Sequence, residues 1–513
     1  MESMILSKQN IKNPTSTLGI MPPDEKLFSL PEKVLQFGTG ALLRGLPDYF
    51  IDKANKQGIF NGRIVVVKST STGVVDAFDE QNGLYTLCIR GIEGETKVEE
   101  NSINASISRV LSAKKDWSEI LKCAANPEMQ VVISNTTEVG ITLTNDNVNA
   151  SPPDSFPGKL LAFLYQRYKI FHGEKEKGMV IIPTELIIDN GTKLRNILLQ
   201  LAQQNELESS FKDWLTNSNY FCNSLVDRIV PGKLADAQQN LMEKELGYED
   251  KLMIMSEVYR LWAIESSEPK VKDILSFRGA DEGVVIASDI NVFRELKLRL
   301  LNGSHSFSCG LAHLSGFVTV KEAMNNKVFS NYITNLMMQE IAPAIASKQI
   351  PIEMAKNFAN KVIDRYRNPH LEHQWLSISV QYSSKMRMRN IPIIKMHYEQ
   401  FGTIPEYMVL GFAAFLLFLK GEKDDSGKYS GRANDKNYMI TDDNISIFAD
   451  TWHINDTDAF VNVIMADETL WGDDLTKLPG FTDSVLNMLH SLIKHGAMAT
   501  LKKVVPGKTV ERA

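Results

Sequence analysis

Lys297, Asn302 and His305 stand at i, i+5 and i+8 in the string Lys297-Leu-Arg-Leu-Leu-Asn302-Gly-Ser-His305. An amine, a carboxamide and an imidazole can together interconvert an alcohol and a ketone. The lysine moves the hydroxyl proton, while the asparagine and histidine steady the oxygen charge. The same residues also fit a basic amphipathic helix with Lys297 and Arg299 in water. On an ideal α-helix, eight residues rise about 12 Å and turn about 80° past whole turns. Lys297 and His305 then share one six-carbon substrate only through the long lysine stem and the N-terminal lean of helical side chains. A free lysine titrates near about 10.4, so a lysine base at neutral pH calls for burial or a nearby cation.

Such chemistry needs a hydride carrier, and an earlier segment has the form of a dinucleotide cradle. A short apolar run through Leu35 and Gln36 meets Phe37-Gly38-Thr39-Gly40-Ala41-Leu42-Leu43-Arg44, then a helix-like stretch to Asn55 and a second strand, Arg63–Val67. Strand, glycine turn, helix, strand is a βαβ unit. Gly38 permits the tight turn and Gly40 lets backbone approach a pyrophosphate at a helix N-terminus. Leu43 replaces the third glycine, and Arg44 offers a charge to the phosphates. A turn serving only helix–strand packing would use the same residues. The second strand runs into Lys68, where a carboxylate would normally hold the adenosine ribose. A lysine there suits a 2′-phosphate, so NADP is not excluded.

An alternating run at 83–90 reads as an antiparallel hairpin arm, and buried-strand runs recur at 130–134, 178–183 and 284–287, with helical periods between them at 160–168 and 193–204. This predicts an α/β fold with a doubly wound sheet. After residue 290 helical periods dominate: 293–314, 318–346, 351–366, 370–382, 404–420, 455–467 and 481–503. The expected plan is an irregular arm over 1–30, a Rossmann-type domain over 31–290 and an all-α domain over 291–513. Gly421–Asn437 reads as an exposed loop.

With 513 residues the chain can bury two or three cores. A net charge of −6 gives no drive toward nucleic acid or anionic membrane. The most apolar run, Met408–Leu419, is too short for a span and reads as a core helix. The N-terminal residues lack the pattern of an export signal. Four scattered cysteines form no CxxC, which fits a reducing cytoplasm.

Asn190 follows the strand–loop Ile182-Pro-Thr-Glu-Leu-Ile-Ile-Asp, at the sheet end where doubly wound folds bind ligands. It also reads as a turn or capping residue before Gly191. Asn135 and Thr136, after another strand, stand where a coenzyme would pass. Glu138 beside them would approach the nicotinamide or Lys297, or serve as a loop carboxylate. His370 and His373 have helical i, i+3 spacing but no evident third ligand, so no metal is expected. No GxSxG elbow is present.

The Lys–Asn–His set, the Phe-Gly-x-Gly-x-x-x-Arg turn and Leu225-Val-Asp227-Arg228-Ile229 together resemble the mannitol dehydrogenase family of long-chain polyol dehydrogenases. Four longer strings, at 126–140, 182–191, 221–230 and 365–378, are similar to its tagaturonate-reducing branch. The resemblance runs from about Lys33 to near the C-terminus. It implies a Rossmann-type domain, a helical domain and an active site between them. It implies reversible, NADH-dependent reduction of D-tagaturonate to D-altronate in hexuronate breakdown, without metal. Lys297 would be the general acid/base, Asn302 and Asn190 would polarise the carbonyl, and His305 would orient the substrate. Asp227 and Lys385 would line the substrate pocket. Lys385, with Arg387 and Arg389 nearby, offers cations for a uronate carboxylate, although such charge runs are also common on solvated faces. Fructuronate reductase and mannitol-type dehydrogenase are the alternatives within the family; a uronate epimerase and a non-catalytic nucleotide-binding regulator are the alternatives outside it. A small sugar acid is the expected partner of a monomer or small homo-oligomer.

Overall fold

Strands rich in Val and Ile, buried on both faces, organise the first half of the chain. The computed structural model describes residues 4–12, 20–68, 75–136, 139–454 and 456–505, the side chains at 75 and 76 apart. The chain divides into two units. One is Met1–Arg90 with Val98–Ile290, and the other is Gly91–Lys97 with Asn291–Ala513.

In the first unit six parallel strands form the main sheet: β1 (Glu32–Phe37), β2 (Arg63–Lys68), β3 (Ile107–Ser112), β4 (Val131–Ser134), β5 (Val180–Pro183) and β6 (Tyr220–Phe221). Their order is β3-β2-β1-β4-β5-β6, the doubly wound arrangement. Alternate residues feed two separate cores. Val34, Ile64, Val66, Val131 and Ile133 join Leu46, Phe50 and Ile51 on one face. Leu35, Phe37, Val65, Val67 and Val132 join Leu160, Phe163, Leu198 and Leu201 on the other. The strand order reverses between β1 and β4, where Phe37 pairs with Ser134 at the carboxyl ends. Two small sheets accompany this one, including Ser224–Asp227 antiparallel to Leu261–Glu265. The described part of the 1–30 segment is irregular but docked: Leu6, Ile11, Ile20 and Leu27 are buried.

The second unit is built on helices. Ser304–Leu314 and Glu406–Phe418 approach closely through a glycine on each. A Cβ on Gly411 would lie 2.6 Å from the Phe307 carbonyl, and one on Gly310 would lie 3.1 Å from the Ala414 carbonyl. Three segments are π-helical: Lys297–Gly303, Leu336–Ile341 and Met386–Asn390.

The second unit is mostly helical, as expected, but the exposed loop expected over Gly421–Asn437 needs correction. Glu422–Lys423, Tyr429–Ala433 and Lys436–Ile440 form a three-stranded antiparallel sheet. Asn434 and Asp435, both at positive φ, make the two-residue turn that a twisted hairpin favours. The polar sequence hides the anchor, Tyr438. Its ring stacks on Phe418 at 4.6 Å, packs over Gly431 and donates from its hydroxyl to the Phe418 carbonyl at 2.7 Å.

Candidate active site

Burial of β1 on both faces delivers the chain into the glycine turn. Gly38 has φ +127°, which only glycine adopts readily. A Cβ there would also meet Leu43 Cδ1 at 2.8 Å and the Asn135 carbonyl at 3.0 Å. Gly40 differs, because a Cβ there would meet nothing within 4 Å. Gly40 caps the short helix Ala41–Gly45, so a phosphate group has room beside backbone N–H groups. The cradle therefore fits a dinucleotide. Leu43, at the place of the missing third glycine, is fully buried and covers Gly38. The close helix packing falls instead to Gly45, whose Cβ would lie 2.9 Å from the Val230 methyls.

Several cradle residues act from behind. Leu35 and Phe37 are core. Gln36 is buried and donates to the Gly38 carbonyl at 3.3 Å and to Asp48 Oδ2 at 3.4 Å. Thr39, Ala41 and Leu42 are half-buried along the turn. Arg44, expected to offer a charge to the phosphates, is anchored by other parts of the fold. Its guanidinium donates to the Leu252 carbonyl at 2.5 Å and lies over the rings of Phe78 and Tyr85. Lys68 is buried at the end of β2, and residues 69–74 beyond it lie outside the described residues.

The ends of β4 and β5 are fastened by a residue that sequence reasoning missed. Glu185 accepts from Ser134 Oγ, from Thr136 N and from Thr136 Oγ1 at 2.9–3.1 Å. Asn135 donates to the Thr184 carbonyl and hydroxyl. Glu138 lies outside the described residues.

Asn190 is wholly buried, and its amide is saturated. The two Nδ2 hydrogens are shared among the carbonyls of Pro183, Glu185 and Ser224, all at 3.0–3.1 Å, while Oδ1 accepts from Gly191 N and Ser224 N. In this arrangement Asn190 clamps the end of β5 to Ser224. Asp227 is buried at the end of its strand, opposite Leu261.

In the second unit the π turn resolves the spacing difficulty of the ideal helix. Lys297–Gly303 is closed by i→i+5 bonds, which set Lys297 and Asn302 one turn apart. His305 follows three residues later in α-helix, beside Asn302. Lys297 and Asn302 are half-buried. The Asn302 amide makes no hydrogen bond among the described residues.

Side chains satisfy the carbonyls of this turn. Ser304 Oγ donates to Leu300 O, Tyr366 Oη to Leu301 O, Ser306 Oγ to Asn302 O and Asn390 Nδ2 to Gly303 O. The π turn Met386–Asn390 is held in return, with Arg299 Nη1 2.9 Å from the carbonyls of both Met388 and Arg389. Two widened turns thus brace each other.

His305 is stacked on Tyr366 and edge-on to His373. Its Nε2 is buried with no hydrogen-bond partner among the described residues. Burial, reinforced by His373, Arg365, Arg389 and Lys385, holds its pKa well below the usual histidine range. The ring is therefore neutral at physiological pH. Lys385 donates to the Ile378 carbonyl at 2.8 Å, and burial together with Arg389 lowers its pKa. Arg387 is exposed and turns away to the Thr469 carbonyl. Arg389 is half-buried, with Nη1 3.3 Å from Ser306 Oγ.

Comparison with known proteins agrees with this plan. The family model of the mannitol dehydrogenase Rossmann domain matches residues 32–275, and that of the mannitol dehydrogenase C-terminal domain matches 289–493. Altronate oxidoreductase of Bacillus subtilis (strain 168) is 37% identical over 470 residues, which is 90% of this chain and 93% of that protein. Altronate oxidoreductase of Escherichia coli O7:K1 (strain IAI39 / ExPEC) is 34% identical over 91% of this chain and 95% of its own. Among solved structures, Pseudomonas fluorescens mannitol 2-dehydrogenase in ternary complex with NAD and D-mannitol superposes with a TM-score of 0.64. The identity is 24%, and the match covers 98% of this chain and 100% of that one. D-sorbitol dehydrogenase in substrate-free form superposes at 0.77 with 19% identity, covering 97% and 100%. Fold and family matches define an oxidoreductase acting on CH–OH groups. The chain belongs to the mannitol dehydrogenase family. No helix among the described residues is long and apolar enough to cross a membrane.

Proposed function

We propose that the chain interconverts D-tagaturonate and D-altronate with NAD(H), as a step of hexuronate breakdown. The observation that carries this reading is the sustained likeness to altronate oxidoreductases, at 33–37% identity over about nine-tenths of the chain. The glycine turn, with open space at Gly40, supports the coenzyme.

NAD(H), when bound, supplies or accepts the hydride at the carbon that is ketone in one direction and alcohol in the other. The residues of the chain handle the proton and the oxygen. Lys297 Nζ gives the proton to the oxygen in reduction and takes it back in oxidation. The Asn302 amide, unengaged by the fold, donates to that oxygen as its charge develops. Neutral His305 turns Nε2 to a substrate hydroxyl, which satisfies an otherwise unpartnered buried nitrogen.

Steady-state assays with D-tagaturonate, D-fructuronate and D-fructose, each with NADH and NADPH, test the reading. D-tagaturonate with NADH is expected to give the highest kcat/KM. A preference for either other sugar assigns the chain to another branch of its family. Lys297→Ala is expected to lower kcat by at least about 100-fold; near-normal turnover across pH in that variant removes the lysine from the mechanism.

A further inference from the structure

We propose that Arg389, assisted by Lys385 one turn before it, is the anchor for the substrate carboxylate and selects sugar acids over neutral sugars. This rests on the reading above that the substrate is a uronate, and it names the group that recognises the acid.

Most cations in the second unit already have an acid or are solvated. Arg299 pairs with Glu295, Lys321 with Glu372 and Lys395 with Asp473. Arg389 and Lys385 break the pattern. Both are half-buried, and neither has a carboxylate within salt-bridge reach among the described residues. Their contacts are to neutral oxygens, Ser306 Oγ for Arg389 and the Ile378 carbonyl for Lys385. A partly desolvated cation without a counter-ion is costly unless an anion arrives.

The position is as informative as the vacancy in charge. Ser306, the contact of Arg389, is the neighbour of His305. The Arg389 backbone is fixed through its carbonyl by Arg299, and the next residue, Asn390, is tied to Gly303 inside the Lys297 turn. The guanidinium is thereby held in register with Lys297, Asn302 and His305. The cations that bear on His305 are Arg365, Arg389 and Lys385. An uncharged polyol gains little from such a field, whereas a carboxylate at the far end of a six-carbon chain complements it. The guanidinium fork can take both carboxylate oxygens, which an ammonium cannot. That favours Arg389 over Lys385 as the principal contact.

The test is a ratio: kcat/KM for D-tagaturonate over kcat/KM for D-tagatose, its neutral counterpart, in wild type, Arg389→Gln and Arg389→Lys, with thermal melting as a check on folding. Arg389→Gln is expected to lower the acid's kcat/KM by about 100-fold, mostly through KM, and the neutral sugar's by less than about 3-fold. Arg389→Lys, which keeps the charge and loses the fork, should fall between them and carries the test if the glutamine variant does not fold. Equal losses on both sugars, or an unchanged ratio, overturn the anchor while leaving the proposed reaction intact. Wild-type turnover of the neutral sugar alone overturns both.

Discussion

Tyr366 lies face to face with His305, with ring centroids 4.3 Å apart and planes inclined by 21°, while its hydroxyl donates to the Leu301 carbonyl at 2.9 Å. One side chain therefore fixes both the imidazole and the widened turn that carries Asn302. Tyr366→Phe keeps the stacking and deletes the hydrogen bond. It should cost about 1–2 kcal/mol of stability and lower kcat more than it raises KM, because the lost bond loosens the turn rather than the ring. Tyr366→Ala, which removes both, should also impair KM for the sugar. Denaturant unfolding and steady-state kinetics on the two variants separate these effects. Identical kinetics in both would show that the stacked ring adds nothing beyond the hydroxyl.

The two glycines flanking the first helix make opposite predictions. Gly40 has an ordinary backbone and open space ahead of its missing Cβ. Gly40→Ala should leave the melting temperature within about 2 °C and weaken NADH binding by about 10-fold or more, since the methyl enters the space assigned to a phosphate. Gly45→Ala drives a methyl into Val230 and should cost about 1–3 kcal/mol while affecting NADH affinity less. Fluorescence titration of NADH alongside thermal melting reads both. Unchanged affinity in Gly40→Ala would place the coenzyme phosphates elsewhere.

The carboxyl of Asp48 is fully buried behind the glycine turn, and burial pushes its pKa up to about 8 despite Gln36 and Arg44. The folded state favours the protonated acid, whereas the unfolded carboxyl ionises near about 4. Its contribution to stability is thus whole below about pH 4 and is lost progressively as pH rises toward 8. Asp48→Asn, neutral at every pH, should unfold near the wild-type midpoint at pH 5 and above it at pH 8. The gap should be on the order of 1–3 kcal/mol. Glu340 is raised to about 8 as well, but it is common to both proteins and cancels in the difference. A gap that does not widen with pH would mean Asp48 stays ionised in the fold.

The legible parts of this chain are those where local pattern and final environment agree. Continuous Val and Ile runs announced β2, β4 and β5, and the apolar run through Val34, Leu35 and Phe37 announced β1, because strands covered on both faces need no polar alternation. The strand Ile107–Ser112 escaped notice, since Ser108 and Arg109 interrupt it. Ser108 is tied to Glu32 and the Ile64 carbonyl, and Arg109 to Glu32, at the sheet edge. The Lys–Asn–His set could be read from residue types, but not its geometry. No composition rule marks a π turn, whose carbonyls are satisfied by Tyr366 and Asn390, 65 and 87 residues away. Glu185 and Arg299 were missed for the same reason: each looks like a surface charge until its distant partners are known.

Asn190 and Asn302 form the sharpest contrast between a residue that builds the fold and one left available for chemistry. The amide of Asn190 is consumed by Pro183, Glu185, Gly191 and Ser224, joining the end of β5 to the strand that leads to Asp227. Its removal strands buried carbonyls and N–H groups, so Asn190→Ala should lose about 2–4 kcal/mol of stability. Any surviving folded enzyme should keep kcat within a few-fold at low temperature. Asn302→Ala touches no such network and should melt near wild type, yet lose about 100- to 1000-fold in kcat through the missing oxyanion donor. Paired measurement of unfolding and of kcat below the melting transition decides between them. If Asn190→Ala stays folded and loses turnover as Asn302→Ala does, its amide must leave the clamp during the reaction, and the saturated network describes only one state of the enzyme.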